Sequence, residues 1–408
     1  LTGAAVHDVT VFGATSFVGA ILCRYLMDEF GTQGALRWAA AGRSLPKLET
    51  LRASLGPKAE ALELVVADVT DPASLRALCT STRVVVSTVG PYALHGEPLV
   101  RTCAETGTDY CDLSGEVQWI GRMIRRHEGA ARRSGARLVH ACGFDSIPSD
   151  LGVHILQREA MKRFGTPCSR IKMRVKALRG GLSGGTAASL LNVVKEAASD
   201  RALRRALADP YSLCPPTTAA RVAQPEVTSA KFDADFGAWV APFVMSGVNT
   251  RIVHRSNALA GQPYGGSFIY DEAMLMGEGI KGWLAGTALT VGLGGFLLAG
   301  ALPPTRAALE HFVVPKPGEG PSPEQQRKGF FDLRFFGNIG AGRTIRVAVT
   351  GDRDPGYGST AKMLGQAAAC LALDVDKGAK AGGFWTPATI FGDRLIERLT
   401  AHAGLRFE

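Results

Sequence analysis

Val9-Thr10-Val11-Phe12-Gly13-Ala14-Thr15-Ser16-Phe17-Val18-Gly19 reads as an apolar strand, a tight turn and the start of a helix. Gly13 permits the turn, and Gly19 lets the helix pack against the strand. A helix N-terminus offers unpaired N–H groups to a diphosphate, which makes the backbone of Thr15, Ser16, Phe17 and Val18 the expected cradle. Ser16 stands where such fingerprints usually carry their middle glycine, and its Cβ is expected to crowd the diphosphate without blocking it. Val18, Ile21, Leu22, Tyr25 and Leu26 continue the helix at helical spacing. The alternation repeats outward, with strands expected at 36–41, 62–67, 84–89 and 137–141 and helices at 47–55, 71–79 and 97–106. Strands this apolar are buried on both faces, which predicts a parallel sheet covered by helices.

Ligands of such sheets bind outside the carboxyl ends of the strands, so the residues there are the candidates. After the second strand comes Arg43, where a preference for NAD would ask for an acidic residue; arginine instead suits the 2′-phosphate of NADP. Asp68 ends the third strand, where it could meet an adenine amino group or cap the next helix. The fourth strand runs into Val89-Gly90-Pro91, a rigid backbone expected near the nicotinamide ribose, and then Tyr92, read either as a proton donor or as a packed lid. The last strand of this half leads into Gly143-Phe144-Asp145-Ser146. Asp145 and Ser146 are read as cleft candidates or as helix caps.

The second half has a different texture. Residues 170–178 alternate like a half-buried strand, 268–276 form another, and 330–336 with 344–350 make a hairpin around Gly340-Ala341-Gly342. Residues 209–240 read mostly as loop. The fold class is therefore α/β, a Rossmann-type parallel-sheet domain over 1–150, plus an α+β domain over 151–355 with a mostly antiparallel sheet. Helices over 356–408 follow. From Trp283 to Leu302, 20 residues carry no charge, the length that spans a bilayer. Three readings stay open for 283–302: a buried core helix, an interfacial or re-entrant lipid-dipping element, and a true span, which would split one fold across a membrane.

Of the 408 residues, 46% are hydrophobic and 20% charged, which excludes a disordered or fibrous chain. The net charge of +9 invites a nucleic-acid reading, but no basic stretch interleaves with aromatic residues. The densest run, Arg122, Arg125, Arg126, Arg132, Arg133 and Arg137, reads as an exposed helix before a strand. The eight cysteines show no C-x-x-C pair and no metal-ligand spacing, so reduced thiols and no metal are expected. With a strand so near the first residue, no signal segment is expected, and the compartment reads as cytoplasmic.

Several stretches together are distinctive: Gly13-Ala14-Thr15, Val89-Gly90-Pro91-Tyr92 with Gly96-Glu97-Pro98, 107–116, 143–150, 316–322, Asp354-Pro355-Gly356-Tyr357 and Leu405-Arg406-Phe407-Glu408. In this order, over nearly the whole chain, they resemble the saccharopine dehydrogenase-like oxidoreductases. Asn249-Thr250-Arg251-Ile252-Val253 and 255–259 are most similar to the mycobacterial trans-acting enoyl reductases. The resemblance implies an NADP(H)-dependent Rossmann domain, a second α+β domain and a C-terminal segment returning to the first. It implies an enoyl reductase acting on a lipid or polyketide acyl chain. It gives no established catalytic residue; the proton that enoyl reduction needs is expected from Tyr92, with Asp145 and Ser146 as orienting groups. Gly184-Gly185-Thr186, at a helix start, would hold an acyl thioester or pantetheine phosphate. An acidic acyl-carrier domain, a lipid surface met by 283–302 on the cytoplasmic membrane face, and a homo-oligomer are the partners this reading admits. A saccharopine-type amino-acid dehydrogenase, or a non-catalytic lipid-surface protein that keeps the fold, are the alternatives; a poverty of lysine and arginine in the cleft loops counts against the former.

Overall fold

The computed structural model describes residues 6–180, 184–218, 221–312 and 320–408, without the side chains of 184–187, 202, 310 and 312. Two units emerge. The first comprises 1–145, 316–320 and 356–404, and the second 146–315, 321–355 and 405–408. The boundary falls at Asp145, five residues before the one read from the sequence, and the last four residues join the second unit rather than the first.

In chain order the first unit begins β1 (His7–Phe12), α1 (Phe17–Phe30), β2 (Trp38–Gly42), α2 (Leu45–Ser54), β3 (Glu63–Val66) and α3 (Pro72–Thr80). It continues with β4 (Thr82–Ser87), α4 (Tyr92–His95), α5 (Glu97–Thr106), β5 (Asp109–Asp112), α6 (Val117–Ser134) and β6 (Arg137–Val139). The second unit carries α7 (Ile147–Phe164), β7 (Arg170–Arg179), α8 (Gly184–Ser199), α9 (Arg201–Ala208), β8 (Lys231–Asp233), β9 (Ala238–Ala241), α10 (Ser246–Leu259) and β10 (Ile269–Gly277). It adds α11 (Gly279–Ala301), α12 (Pro303–Phe312), α13 (Pro323–Lys328), β11 (Phe330–Gly340) and β12 (Arg343–Gly351). The chain then supplies α14 (Gly358–Leu373), β13 (Gly383–Trp385), α15 (Pro387–Ile390) and α16 (Asp393–His402) to the first unit and β14 (Leu405–Phe407) to the second.

The first sheet runs β13-β6-β5-β4-β1-β2-β3, every pair parallel. Val9, Val11, Val84, Val85 and Val86 are fully buried, as strands covered on both faces must be. The alanine-rich α14 packs across β1, β4 and β5 and against α1; the small side chains allow that close approach. Arg137, read as part of an exposed basic run, is instead buried. Its Nε donates to Asp109 at 3.0 Å and its Nη1 to the carbonyls of Val375 and Asp376 at 2.9 and 3.0 Å, just beyond the end of α14. A cation at a helix C-terminus is favoured by the helix dipole.

The second sheet runs β14-β12-β11-β7-β10-β9-β8 and is antiparallel except for β7 with β10. The stretch 209–240, expected mostly as loop, holds the short strand β8 and most of β9 at the sheet edge. Arg174 is buried between Asp233 and Asp271 at 2.7 and 2.6 Å, which ties the edge strand β8 to β7 and β10. All eight cysteines are free.

Candidate cofactor and catalytic site

The site of the first unit grows from the β1–α1 turn. Gly13 adopts φ +84°, and a Cβ there would lie 2.6 Å from Val89 Cγ2 and 2.9 Å from Thr88 Oγ1; one on Gly19 would lie 2.2 Å from the Gly13 carbonyl. Both positions therefore demand glycine. Ser16 has its side chain turned to the protein. It is the N-cap of α1: its Oγ accepts from Gly19 N at 3.0 Å and lies 3.0 Å from Thr88 Oγ1. The hydroxyl is thus engaged by the protein. The N–H groups of Thr15, Phe17 and Val18 make no hydrogen bond among the described residues, so the helix start presents free donors.

Beside this turn, Arg43 follows β2. It is exposed, and among the described residues no carboxylate forms an ion pair with it, although its charge is felt by Asp68. Asp68 is turned back on its own loop, Oδ1 accepting from the Thr70 N–H and hydroxyl at 2.9 and 2.8 Å; these bonds, with Arg43 behind them, hold its carboxyl below the usual range.

The β4 loop carries exposed Gly90 and a cis bond to Pro91. Tyr92 is buried behind it. Its hydroxyl donates to the Ser87 carbonyl at 2.9 Å and accepts from Leu113 N at 3.2 Å, and its ring packs on Trp119. Burial, reinforced by Asp112, pushes the phenol well above its ordinary value. Tyr92 is therefore a peg that holds the loop, and of its two readings these contacts fit the packed lid.

Glu116 and Asp112 carry roles that sequence reading did not assign. The buried Glu116 carboxylate accepts from Tyr92 N and Ala93 N, each at 2.9 Å, and clamps the start of α4. Asp112 accepts from Tyr110 Oη at 3.0 Å, Ser114 N at 3.0 Å and Ala141 N at 3.1 Å, and its Oδ2 lies 2.6 Å from His140 Nδ1. Ala141 has φ +58°, a conformation alanine rarely adopts. Asp112 holds that strained residue where the chain leaves β6 for the 143–145 loop. Both acids lie in the 107–116 stretch, so the signal was present, but only the fold shows what they grip.

On that loop Phe144 N donates to Thr360 Oγ1 at 3.0 Å, and a Cβ on Gly143 would lie 2.7 Å from Leu113 Cδ2. Asp145 is half-buried, and burial with the nearby Asp112 charge pushes its carboxyl up to about 7.

The comparisons with known proteins now bear on this arrangement. Residues 9–139 match the saccharopine dehydrogenase NADP binding domain. A Mycobacterium tuberculosis protein provisionally named a trans-acting enoyl reductase is 38% identical over 413 residues, 97% of this chain and 95% of its own length. The trans-acting enoyl reductase of Mycobacterium ulcerans is 36% identical over 408 residues, 96% of this chain and 95% of its own. This chain belongs to the trans-acting enoyl reductase family. Saccharopine dehydrogenase (L-Glu forming) from Saccharomyces cerevisiae, solved in its apo form, shares the fold with a TM-score of 0.57 and 14% identity, over 98% of this chain and 99% of that one.

In this family member the first unit is an NADP-binding domain, and its residues fit the cofactor. The glycine turn and the amides at the start of α1 suit a diphosphate, the exposed Arg43 a 2′-phosphate, and the Gly90-Pro91 backbone a ribose. The other candidates lie in the second unit. Ser146 is fully buried, and its Oγ donates to Asn249 Oδ1 at 3.0 Å. Asn249 in turn donates to Glu272 Oε2 at 2.9 Å, and Tyr270 Oη donates to Glu272 Oε1 at 2.7 Å. Ser146 is thus a member of an interior network around Glu272, whose carboxyl burial pushes up to about 7. Gly184, Gly185 and Thr186 open α8; of their side chains nothing is described, and Gly181–Ser183 lie outside the described residues.

Proposed function

We propose that this protein is an NADPH-dependent reductase of the carbon–carbon double bond in an acyl chain presented as a thioester, on a lipid or polyketide intermediate. The observation that carries the reading is an intact NADP-binding unit in a chain that matches trans-acting enoyl reductases from end to end. Bound NADPH supplies the hydride for the β-carbon. The chain must then hold the cofactor, place a proton near the α-carbon and keep water away.

The free N–H groups of Thr15, Phe17 and Val18 would bind the diphosphate, and Arg43 the 2′-phosphate. Gly90, Pro91 and the Glu116 clamp would fix the ribose. Asp145 is our choice for the acid. It lies on a loop at the carboxyl end of the sheet, and its carboxyl titrates near neutrality, so a protonated fraction persists at physiological pH. Gly184–Thr186 is kept as a candidate acyl-thioester site, and an acidic carrier domain as the partner that delivers the chain.

The test is NADPH oxidation followed optically with a long-chain trans-2-enoyl thioester, with mass analysis of the saturated product. Asp145→Asn should lower kcat at least tenfold and remove a decline in rate that begins as pH rises past about 7, while NADPH binding stays within twofold. Turnover of an amino acid with NADP but not of the enoyl thioester would favour the saccharopine-type alternative. Cofactor binding with no turnover of either would favour a non-catalytic protein.

A further inference from the structure

The helix α11 is built the wrong way round for a helix surrounded by water. No charged residue lies between Lys281 and Arg306. Its buried residues are the glycines 282, 286 and 300, while many of its large apolar side chains face outward: Ile280 is 72% exposed, Val291 68%, Leu298 67%, Leu284 54% and the following Leu302 51%. At about 100° per residue these five fall on one crest, opposite the three glycines. Trp283 flanks the crest, Leu289 and Leu297 lie nearer the glycine side, and all three are also exposed.

The glycines explain how the helix is fixed. A Cβ on Gly282 would lie 3.3 Å from Trp239 Cδ1, one on Gly286 3.2 Å from Ala230 Cβ, and one on Gly300 2.9 Å from Leu191 Cδ2. So α11 lies against its own unit near both ends, on β9, β10 and α8. A helix seated in this way is not free to cross a bilayer, although it is long and apolar enough to do so. Nor does it resemble core: an outward apolar ridge about 35 Å long far exceeds the scattered apolar exposure of soluble surfaces.

We propose that α11 is an in-plane membrane-docking element, whose crest from Ile280 to Leu302 enters the acyl region of an anionic bilayer surface while its glycine face stays on the protein. Two features favour lipid over a second copy of the chain. The exposed arc covers about three quarters of the helix circumference, far more than one partner helix would cover. The charge of the chain is also of the right sign for anionic lipid: at +9 it attracts an anionic surface and repels a second copy. In a usual interfacial helix the polar face meets water; here the protein replaces it. The proposal does not depend on the reductase assignment.

The experiment is flotation of the full chain with vesicles of phosphatidylcholine, with and without phosphatidylglycerol. The wild type should float, more strongly with the anionic lipid. Combined Leu284→Gln, Val291→Gln and Leu298→Gln should lower partitioning at least tenfold and leave the NADPH affinity unchanged. A second measurement needs no altered crest: brominated phosphatidylcholine should quench wild-type tryptophan fluorescence, and Trp283→Phe should remove most of that quenching. A wild type that neither floats nor is quenched would overturn the proposal. So would a dimer in vesicle-free buffer that the triple substitution dissolves, since a second copy would then cover the crest.

Discussion

Arg43 and Ser16 illustrate how one side chain acts through what it does not bind and the other through what it does. Arg43 has no ion-pair partner among the described residues, so its guanidinium is available to a phosphate. Arg43→Ala should weaken NADPH binding by about tenfold, the modest end for a charge-assisted contact because the site is exposed, and leave NADH binding nearly unchanged. Titration of both cofactors by fluorescence decides it, and equal losses would remove Arg43 from the site. Ser16 is occupied as a helix cap. Ser16→Ala should cost about 0.5–2 kcal/mol of stability, and Ser16→Gly only a few tenths. Because the hydroxyl points to Gly19 N and Thr88, NADPH affinity of the glycine variant should stay within threefold. A much larger loss, measured by calorimetry beside a normal melting curve, would mean that the hydroxyl leaves its cap to serve the diphosphate.

The loops are set by elements outside themselves, and α4 is the clearest case. It is only four residues long, with no side-chain cap of its own, so the two N–H groups at its start depend on Glu116. In Glu116→Gln one of the two acceptors becomes a donor and faces an N–H. That should cost about 1–3 kcal/mol and raise the KM for NADPH several-fold as the Gly90-Pro91 backbone loosens. Unchanged unfolding and KM together would show that the clamp is dispensable. This dependence explains what is legible in the sequence. The parallel sheet is legible because its strands are apolar on both faces, and the β1 turn because glycine spacing is a local property. Tyr92 keeps two readings because an aromatic residue in a cleft loop looks the same whether its hydroxyl is free or tied to Ser87 and Leu113. β8 and β9 are hidden because each is three or four residues long and is fixed by partners, Arg174 and β10, far away in sequence. Residues 283–302 stay ambiguous because composition does not say which face is covered; the glycines at 282, 286 and 300 are the signal, and only packing gives them meaning.

Across the molecule, buried ionisable groups give stability a pH dependence whose sign can be worked out. Burial, with Asp112 nearby, raises Asp145 to about 7, and burial likewise raises Glu272 to about 7, one carboxyl in each unit. In the unfolded chain both release their protons near pH 4. Between pH 4 and 7 the folded protein therefore holds protons that the unfolded chain has lost, and stability falls as pH rises. His254 acts in the opposite sense. Burial, then the Arg251 charge, lowers it to about 4, so the unfolded chain holds the extra proton up to about 6.5 and stability rises with pH over that span. Two carboxyls outweigh one imidazole, and between about 6.5 and 7 the carboxyls act alone. Joint substitution Asp145→Asn and Glu272→Gln should thus remove the fall and leave the rise from His254 below 6.5, a change in the pH dependence between 5 and 8 of a few kcal/mol relative to wild type. His254→Gln should steepen the fall below 6.5. The absolute stability of the double variant is not the readout, because Glu272→Gln also places an amide opposite the Asn249 donor; the slope is. Denaturant titrations at pH 5, 6.5 and 8 measure it, and parallel slopes for wild type and the double variant would mean that neither carboxyl is held protonated by the fold.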